Sequence, residues 1–368
     1  MGIAETYSRG RQVAVARPGS IILGLVVAVL VFDLGVGLAT GDNSFSGVGS
    51  LVWDGLMRGL VIGLAGIGLS MTYSILNFAN FAHGDYITAG AFSGWATTYV
   101  VAGLGRADIG ALFLVGASGS VFGGTLGIGV TGTPLAVVAG ALVAGAFTIA
   151  LALFIDRTVF KPIRDESGIT LLITSIGVAF ALRYIMQFVF SSSVRGTTAQ
   201  PPSVSLYFVD GAVRISAHDI ALVVVAGGLM LGIHLLLQLT KLGKAMRAMA
   251  DNEDLAQITG IPTERVVRAV WIIGGGLTGV AGYMFVLWKG TLGFNDGWLL
   301  LLLIFAAVIL GGIGSIYGAI VGGLAIGLTA SMSVIWIPSA FSRAAAFFVM
   351  IVILLVKPEG IFSGRSTA

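Results

Sequence analysis

The chain has 368 residues, 57% of them hydrophobic and only 10% charged, against roughly 25% charged in an average soluble domain. Lys and Arg number 20, Asp and Glu 17, the formal net charge is +3, and there is no cysteine. A disordered tail protein, a disulfide scaffold, a thiolate enzyme and an ordinary soluble enzyme are excluded, and so small a net charge gives no footing for a nucleic-acid partner.

The apolar residues come in runs of about 20, the length that crosses a ~30 Å hydrocarbon core. The fold class that follows is all-α, a polytopic transmembrane helical bundle. Residues 1–18, with Arg9, Arg11 and Arg17, read as a cytoplasmic tail. The apolar run Gly19–Thr40 is of full span length and reads as a retained first helix rather than the shorter core of a signal peptide. Further spans are expected at 50–76, 86–104, 134–155, 169–190, 218–239, 266–288, 298–312, 316–336 and 341–356. The stretch 110–131 is apolar but rich in glycine, which weakens it as a straight helix. Charge parity decides its fate. Arg157, Lys161 and Arg164 in the connection 156–167, Lys241, Lys244, Arg247 and Arg265 in the connection 240–265, and Lys357 and Arg365 in the tail 357–368 belong on the cytoplasmic side. Only an even number of spans before residue 156 puts them there together with the N-terminus. The stretch 110–131 is therefore expected to be a non-spanning insertion on the outer side, which leaves about ten spans, both termini inside and 191–217 as an outer loop.

Two places interrupt apolar segments without a true loop. Asn77-Phe78-Ala79-Asn80-Phe81-Ala82-His83-Gly84-Asp85 sets two amides, an imidazole and a carboxylate between apolar runs, and Gly311-Gly312-Ile313-Gly314-Ser315 is followed by Gly318. Irregular backbone at membrane depth persists only where protein or a water-filled cavity satisfies it, and transporters use such breaks along the pathway. The first break has two readings: a turn at the inner surface, or a segment folded back into the bundle. The remaining helical glycines, among them Gly63, Gly66, Gly68, Gly274, Gly275, Gly276, Gly318, Gly322, Gly323 and Gly327, read as close helix packing within one subunit.

In the connection 240–265, Asp251 is a candidate N-cap, Glu253 and Asp254 fall in a first turn, Leu255 and Ile258 form an apolar stripe, and Gly260 followed by Pro262 is a stop signal. A short amphipathic helix is expected there, offering a docking surface to a cytoplasmic partner. The chain has no phosphate-cradling Gly-x-x-x-x-Gly-Lys-[Ser/Thr], and His83, His218 and His234 lack metal-ligand spacing. Arg183 is free to snorkel or to pair with an acidic neighbour. Few ionisable residues lie within the spans, which argues against a proton-coupled carrier.

Five ordered motifs together resemble the permeases of branched-chain amino acid ABC importers, over residues from about 50 to 362. They are the first break, which is similar to that family's "NFAHGE" signature; Arg157 to Arg164; Lys244 to Ile261; Ala307 to Gly318; and Lys357-Pro358-Glu359-Gly360-Ile361. Asp85 stands where the family often has Glu, and Tyr317 where Pro is common. The resemblance implies a permease subunit in the cell membrane that forms the translocation pathway and carries no cofactor of its own. ATP and Mg would sit on two cytoplasmic ATP-binding subunits. A second related permease, or a second copy of this chain, and an external solute-binding protein would complete the assembly.

On that resemblance Arg247, Asp251, Glu253, Asp254, Leu255, Ile258 and Gly260 belong to the loop that couples to the ATPase. Thr72, Asn77, Asn80, His83, Asp85, Thr174, Ser175, Gly311, Gly312, Gly314 and Ser315 are the candidate pathway residues. Thr174 and Ser175 have the alternative of bonding their own helix backbone. The substrate expected is a branched-chain amino acid. The alternatives are a urea or short-amide importer of the same type, which keeps the docking helix, and a stand-alone carrier or channel, which has no need of one.

Overall fold

The computed structural model describes residues 18–104, 123–358 and 360–362. Every expected apolar run falls on a helix: α1 (Pro18–Thr40), α2 (Phe45–Leu76), α3 (His83–Ala102), α4 (Pro134–Ile155), α5 (Gly168–Phe190) and α6 (Ala217–Leu239) come first. After α6 come two short helices, α7 (Lys241–Asp251) and α8 (Glu253–Ile258). The bundle resumes with α9 (Thr263–Lys289), α10 (Asp296–Gly311), α11 (Ile316–Met332) and α12 (Ser342–Val356). Seven helical stretches among the described residues are long and apolar enough to cross a membrane. The expected insertion 110–131 lies outside the described residues up to 122; its remainder starts with a short 3-10 turn, Gly123–Leu126, and Ile128 is buried.

The 32-residue α2 is the central helix, buried on every side from Val61 to Thr72. Its glycines are what let α11 lie against it. A Cβ on Gly59 would come 2.7 Å from Leu324 Cα, and one on Gly323 would come 2.5 Å from Gly63 N. The same device seats α9 against α3 and α4: a Cβ on Gly279 would stand 2.3 Å from Ala144 O, and one on Gly282 2.2 Å from Ile87 O. These glycine faces therefore serve packing inside one subunit, as the sequence suggests, with backbones close enough for dispersion to act between them.

Opposite α7 and α8, a hairpin of β2 (Ser203–Phe208) and β3 (Gly211–Ser216) follows the short strand β1 (Arg195–Gly196). β1 pairs with β4 (Thr291–Leu292) in the α9–α10 connection. Ser216 caps α6 in a reciprocal capping box with Asp219, which fixes where the hairpin ends and the helix begins.

Candidate translocation site

The first break folds back into the bundle. His83, the first residue of α3, places Nε2 2.9 Å from Ala65 O and 3.3 Å from Thr278 Oγ1. From Ala65 to Leu76 is about 16 Å of helix at ~1.5 Å per residue. The chain therefore leaves α2 at Leu76 and climbs back alongside it before α3 begins. Asn77, in the left-handed region at φ 52, makes the reversal. Asn80, fully buried, accepts the amide of Ala82 at 3.0 Å, and Ser175 on α5 accepts the amide of Phe81 at 3.0 Å. Ser175 also donates to Leu172 O, so its hydroxyl does bond its own helix backbone. Phe81 packs against Phe305 of α10, ring centroids 4.9 Å apart.

Asp85 is completely buried in the first turn of α3, and Arg183 of α5 meets it bidentately, Nε to Oδ1 at 3.1 Å and Nη2 to Oδ2 at 2.9 Å. The guanidinium lies 4.3 Å from the ring centre of Trp298 and 5.4 Å from that of Phe180. A planar cation held between aromatic faces and a carboxylate is the setting for which arginine is suited. Arg183 thus pairs rather than snorkels.

The second break has a different construction. Gly312 and Gly314 take φ 103 and 86, where a Cβ would be strained. Gly311 packs so closely on Gly318 that a Cβ would meet its carbonyl oxygen at 1.9 Å. Ser315 caps α11 by accepting the amide of Gly318, and Ser74, near the end of α2, donates to Gly314 O at 3.1 Å. The amides of Ile361 and Phe362 donate to Leu310 O and Gly311 O. The freed carbonyls of α10 thus find partners in the tail.

Among the remaining candidates, Thr72 donates to Gly68 O within its own helix, Asn77 is exposed at the end of α2, and Thr174 is half-buried. The structure thus gathers Asn80, His83, Asp85 and Ser175 around the start of α3, and sets Gly311 to Ser315 beside Ser74. A third interruption, 290–295, escaped sequence reading. It returns the chain so far into the bundle that the amide of Gly297 donates to Thr88 Oγ1 of α3 at 3.1 Å. The signal was the shortness of the run 298–312. Beside this return lies a cavity of about 480 Å³ bordered by Asp54, Arg58, Lys289, Asp296 and Arg343, and none of the eleven candidate pathway residues lines it.

The loop 240–265 contains two helices rather than one. The capping residue is Asn252, not Asp251: Asn252 is extended and its side chain accepts the amide of Leu255 at 2.8 Å, whereas Asp251 ends α7. Thr240 caps α7, whose Met246 and Met249 are buried under the bundle. Arg247 donates to Leu237 O at 3.0 Å and so anchors the loop. Glu253 and Asp254 are exposed, as are Leu255 and Ile258 at 55% and 80%. Gly260, at φ 86, ends the element as expected. Beyond it, Glu264 in the first turn of α9 receives Arg164 Nη1 at 2.7 Å and Lys161 Nζ at 3.1 Å, and Arg164 Nη2 reaches Asp156 at 2.7 Å.

Helices interrupted inside an apolar bundle, with polar groups gathered at the breaks, define a polytopic membrane transport protein. Residues 51–356 match the family described as branched-chain amino acid transport system / permease component, and the chain belongs to that family. It is 27% identical over 317 residues to the high-affinity branched-chain amino acid transport system permease protein LivH of Escherichia coli K12, covering 84% of this chain and 94% of that one. It is 27% identical over 313 residues to BraD of Pseudomonas aeruginosa, described in the same terms, covering 84% and 93%. The probable permease LivH of Methanocaldococcus jannaschii is 29% identical over 321 residues, covering 85% and 90%.

Proposed function

We propose that this chain is the transmembrane subunit of an ATP-driven importer of branched-chain amino acids. It lies in the cell membrane with both termini inside, and works with a second permease subunit, two cytoplasmic ATP-binding subunits and an external binding protein. Family membership supports the class. The observation that carries the mechanism is α8, where Leu255 and Ile258 stay exposed beside Glu253 and Asp254 on a helix whose neighbour α7 is anchored under the bundle. A stand-alone carrier gains nothing from two bare apolar side chains on a short, rigidly held helix. A partner that closes on ATP binding gains a handle. Movement of α8 passes through Gly260 and Pro262 into α9, which packs on α2, α3 and α4 through its glycines.

Reconstitution of the assembled transporter tests the reading. Glu253→Lys with Asp254→Lys is expected to lower leucine uptake per ATP hydrolysed about tenfold while the chain keeps its thermal stability, since both side chains are solvent-facing. Uptake by this chain alone, without ATP or partner subunits, overturns it.

A further inference from the structure

The cavity beside the third interruption has a chemistry that the breaks lack. Its walls come from the ends of α2, α9, α10 and α12 that lie opposite α7 and α8. Of its charged groups, Lys289 and Asp296 close on each other at 2.8 Å. Asp54, Arg58 and Arg343 make no ion pair within 4 Å among the described residues, although Arg58 lies within electrostatic reach of both others. One carboxylate and two guanidiniums thus share a recess without an ion-pair partner among the described residues. Arg343 sits in the first turn of α12, which holds no acidic residue. A cation at the positive end of a helix is unfavourable by itself, and a second guanidinium nearby deepens the excess of positive potential. The floor is apolar: Phe285, Trp288, Leu299, Leu300 and Leu303 border the same volume. At about 480 Å³ the recess falls within the ~300–1,000 Å³ range of small-molecule sites.

We infer that this cavity is a binding subsite for an α-amino acid zwitterion with an aliphatic side chain. Arg58 and Arg343 receive the carboxylate, Asp54 the ammonium, and the Leu and aromatic floor the side chain. Two guanidiniums suit a carboxylate through charge-assisted hydrogen bonds. The apolar floor favours a ligand with an aliphatic side chain over urea, and Asp54 disfavours an all-anionic headgroup. The inference rests on the importer reading and names the place where the substrate waits.

The chain has no cysteine, so Ser342→Cys puts a single thiol at the cavity wall. In the assembled transporter, leucine is expected to slow labelling of that thiol by a water-soluble maleimide several-fold. Leucinol, which lacks the carboxylate, leaves the rate unchanged, and Arg58→Gln in the same background abolishes the protection. In uptake assays Arg58→Gln and Arg343→Gln each raise the leucine concentration for half-maximal transport by about tenfold or more. Protection by leucinol equal to that by leucine, or no protection by leucine in a transporter that imports it, overturns the subsite alone. A wild-type transporter that fails to import leucine overturns the importer reading, and the subsite with it. The labelling result stands even where a Gln variant fails to assemble.

Discussion

Arg183 and Asp85, on different helices, form a two-pronged ion pair from which water is shut out, with side-chain exposures of 9% and 0%. The pair joins α5 to the first turn of α3, and Trp298 over the guanidinium joins both to α10. All three contacts sit where the first break returns to the bundle, so the pair holds the start of α3 at depth.

Removing one partner of such a pair leaves an uncompensated charge, which costs about 3–5 kcal/mol. Arg183→Gln is therefore expected to lower the melting temperature of the purified chain sharply. Asp85→Asn combined with Arg183→Gln is expected to recover most of the loss, because no buried charge remains. Arg183→Lys should behave like Arg183→Gln, since a point-like ammonium cannot fill both carboxylate contacts and the aromatic slot. A double variant no more stable than Arg183→Gln would show that the loss comes from the missing guanidinium contacts and not from an uncompensated Asp85 charge.

The helices themselves were legible because a span needs about 20 apolar residues in succession, a local property. The partnership of Arg183 with Asp85 was not. Spacing along the chain says nothing about which face of α5 turns toward α3, so Arg183 read equally well as a snorkelling side chain. The depth of the first break escaped for a related reason: His83 bonds to Ala65, and only packing reveals how far the chain climbs back. Asn252 lost out to Asp251 in the sequence reading because both are good caps, and the choice depends on α7 ending where it does. The cavity was least legible, its charged residues being scattered over four helices.

The glycine faces separate two kinds of position. A side chain at Gly59 would meet the backbone of α11, 2.7 Å from Leu324 Cα and 3.0 Å from Gly323 O, and backbone cannot swing aside. Gly59→Val is expected to destabilise by about 1–3 kcal/mol or more, as over-packing does. Gly228 on α6 has nothing within 4 Å of the added carbon. There Gly228→Ala is expected to be neutral or to stabilise by up to about 1 kcal/mol through helix propensity. Thermal unfolding of the two variants side by side checks the contrast.

Glu264 is 56% exposed, so its bridges to Lys161 and Arg164 add at most about 1 kcal/mol to stability. Their value lies in position, because they tie the first turn of α9, just beyond α8, to the connection between α4 and α5. Glu264→Gln is expected to leave the melting temperature within about 1 °C and to lower transport per ATP hydrolysed in the assembled transporter. Full coupling in that variant would confine Glu264 to a surface contact.

Asp210, in the turn of the β2–β3 hairpin, accepts the backbone amides of Phe45 and Ser46, the latter at 3.0 Å, and so pins the hairpin to the start of α2. Desolvation pushes its carboxyl up, but the hydrogen bonds from Ser46 and Phe45 outweigh it and hold the group below the usual carboxylate range. With the folded value depressed, the docking contribution is fully present above the unfolded value of about 3.9 and is lost as pH falls through the folded value. Hydrogen exchange of the hairpin amides, corrected for intrinsic rate, is therefore expected to stay constant from neutral pH down to about 5 and to rise only below about 4. Asp210→Asn keeps the shape and removes the charge that the two amides favour. It should raise hairpin exchange already at neutral pH while exchange in α2 beyond its first turns stays as it was. Equal exchange in the two proteins at neutral pH would mean that the hairpin is held by other contacts, such as that of Val213 against Gly49.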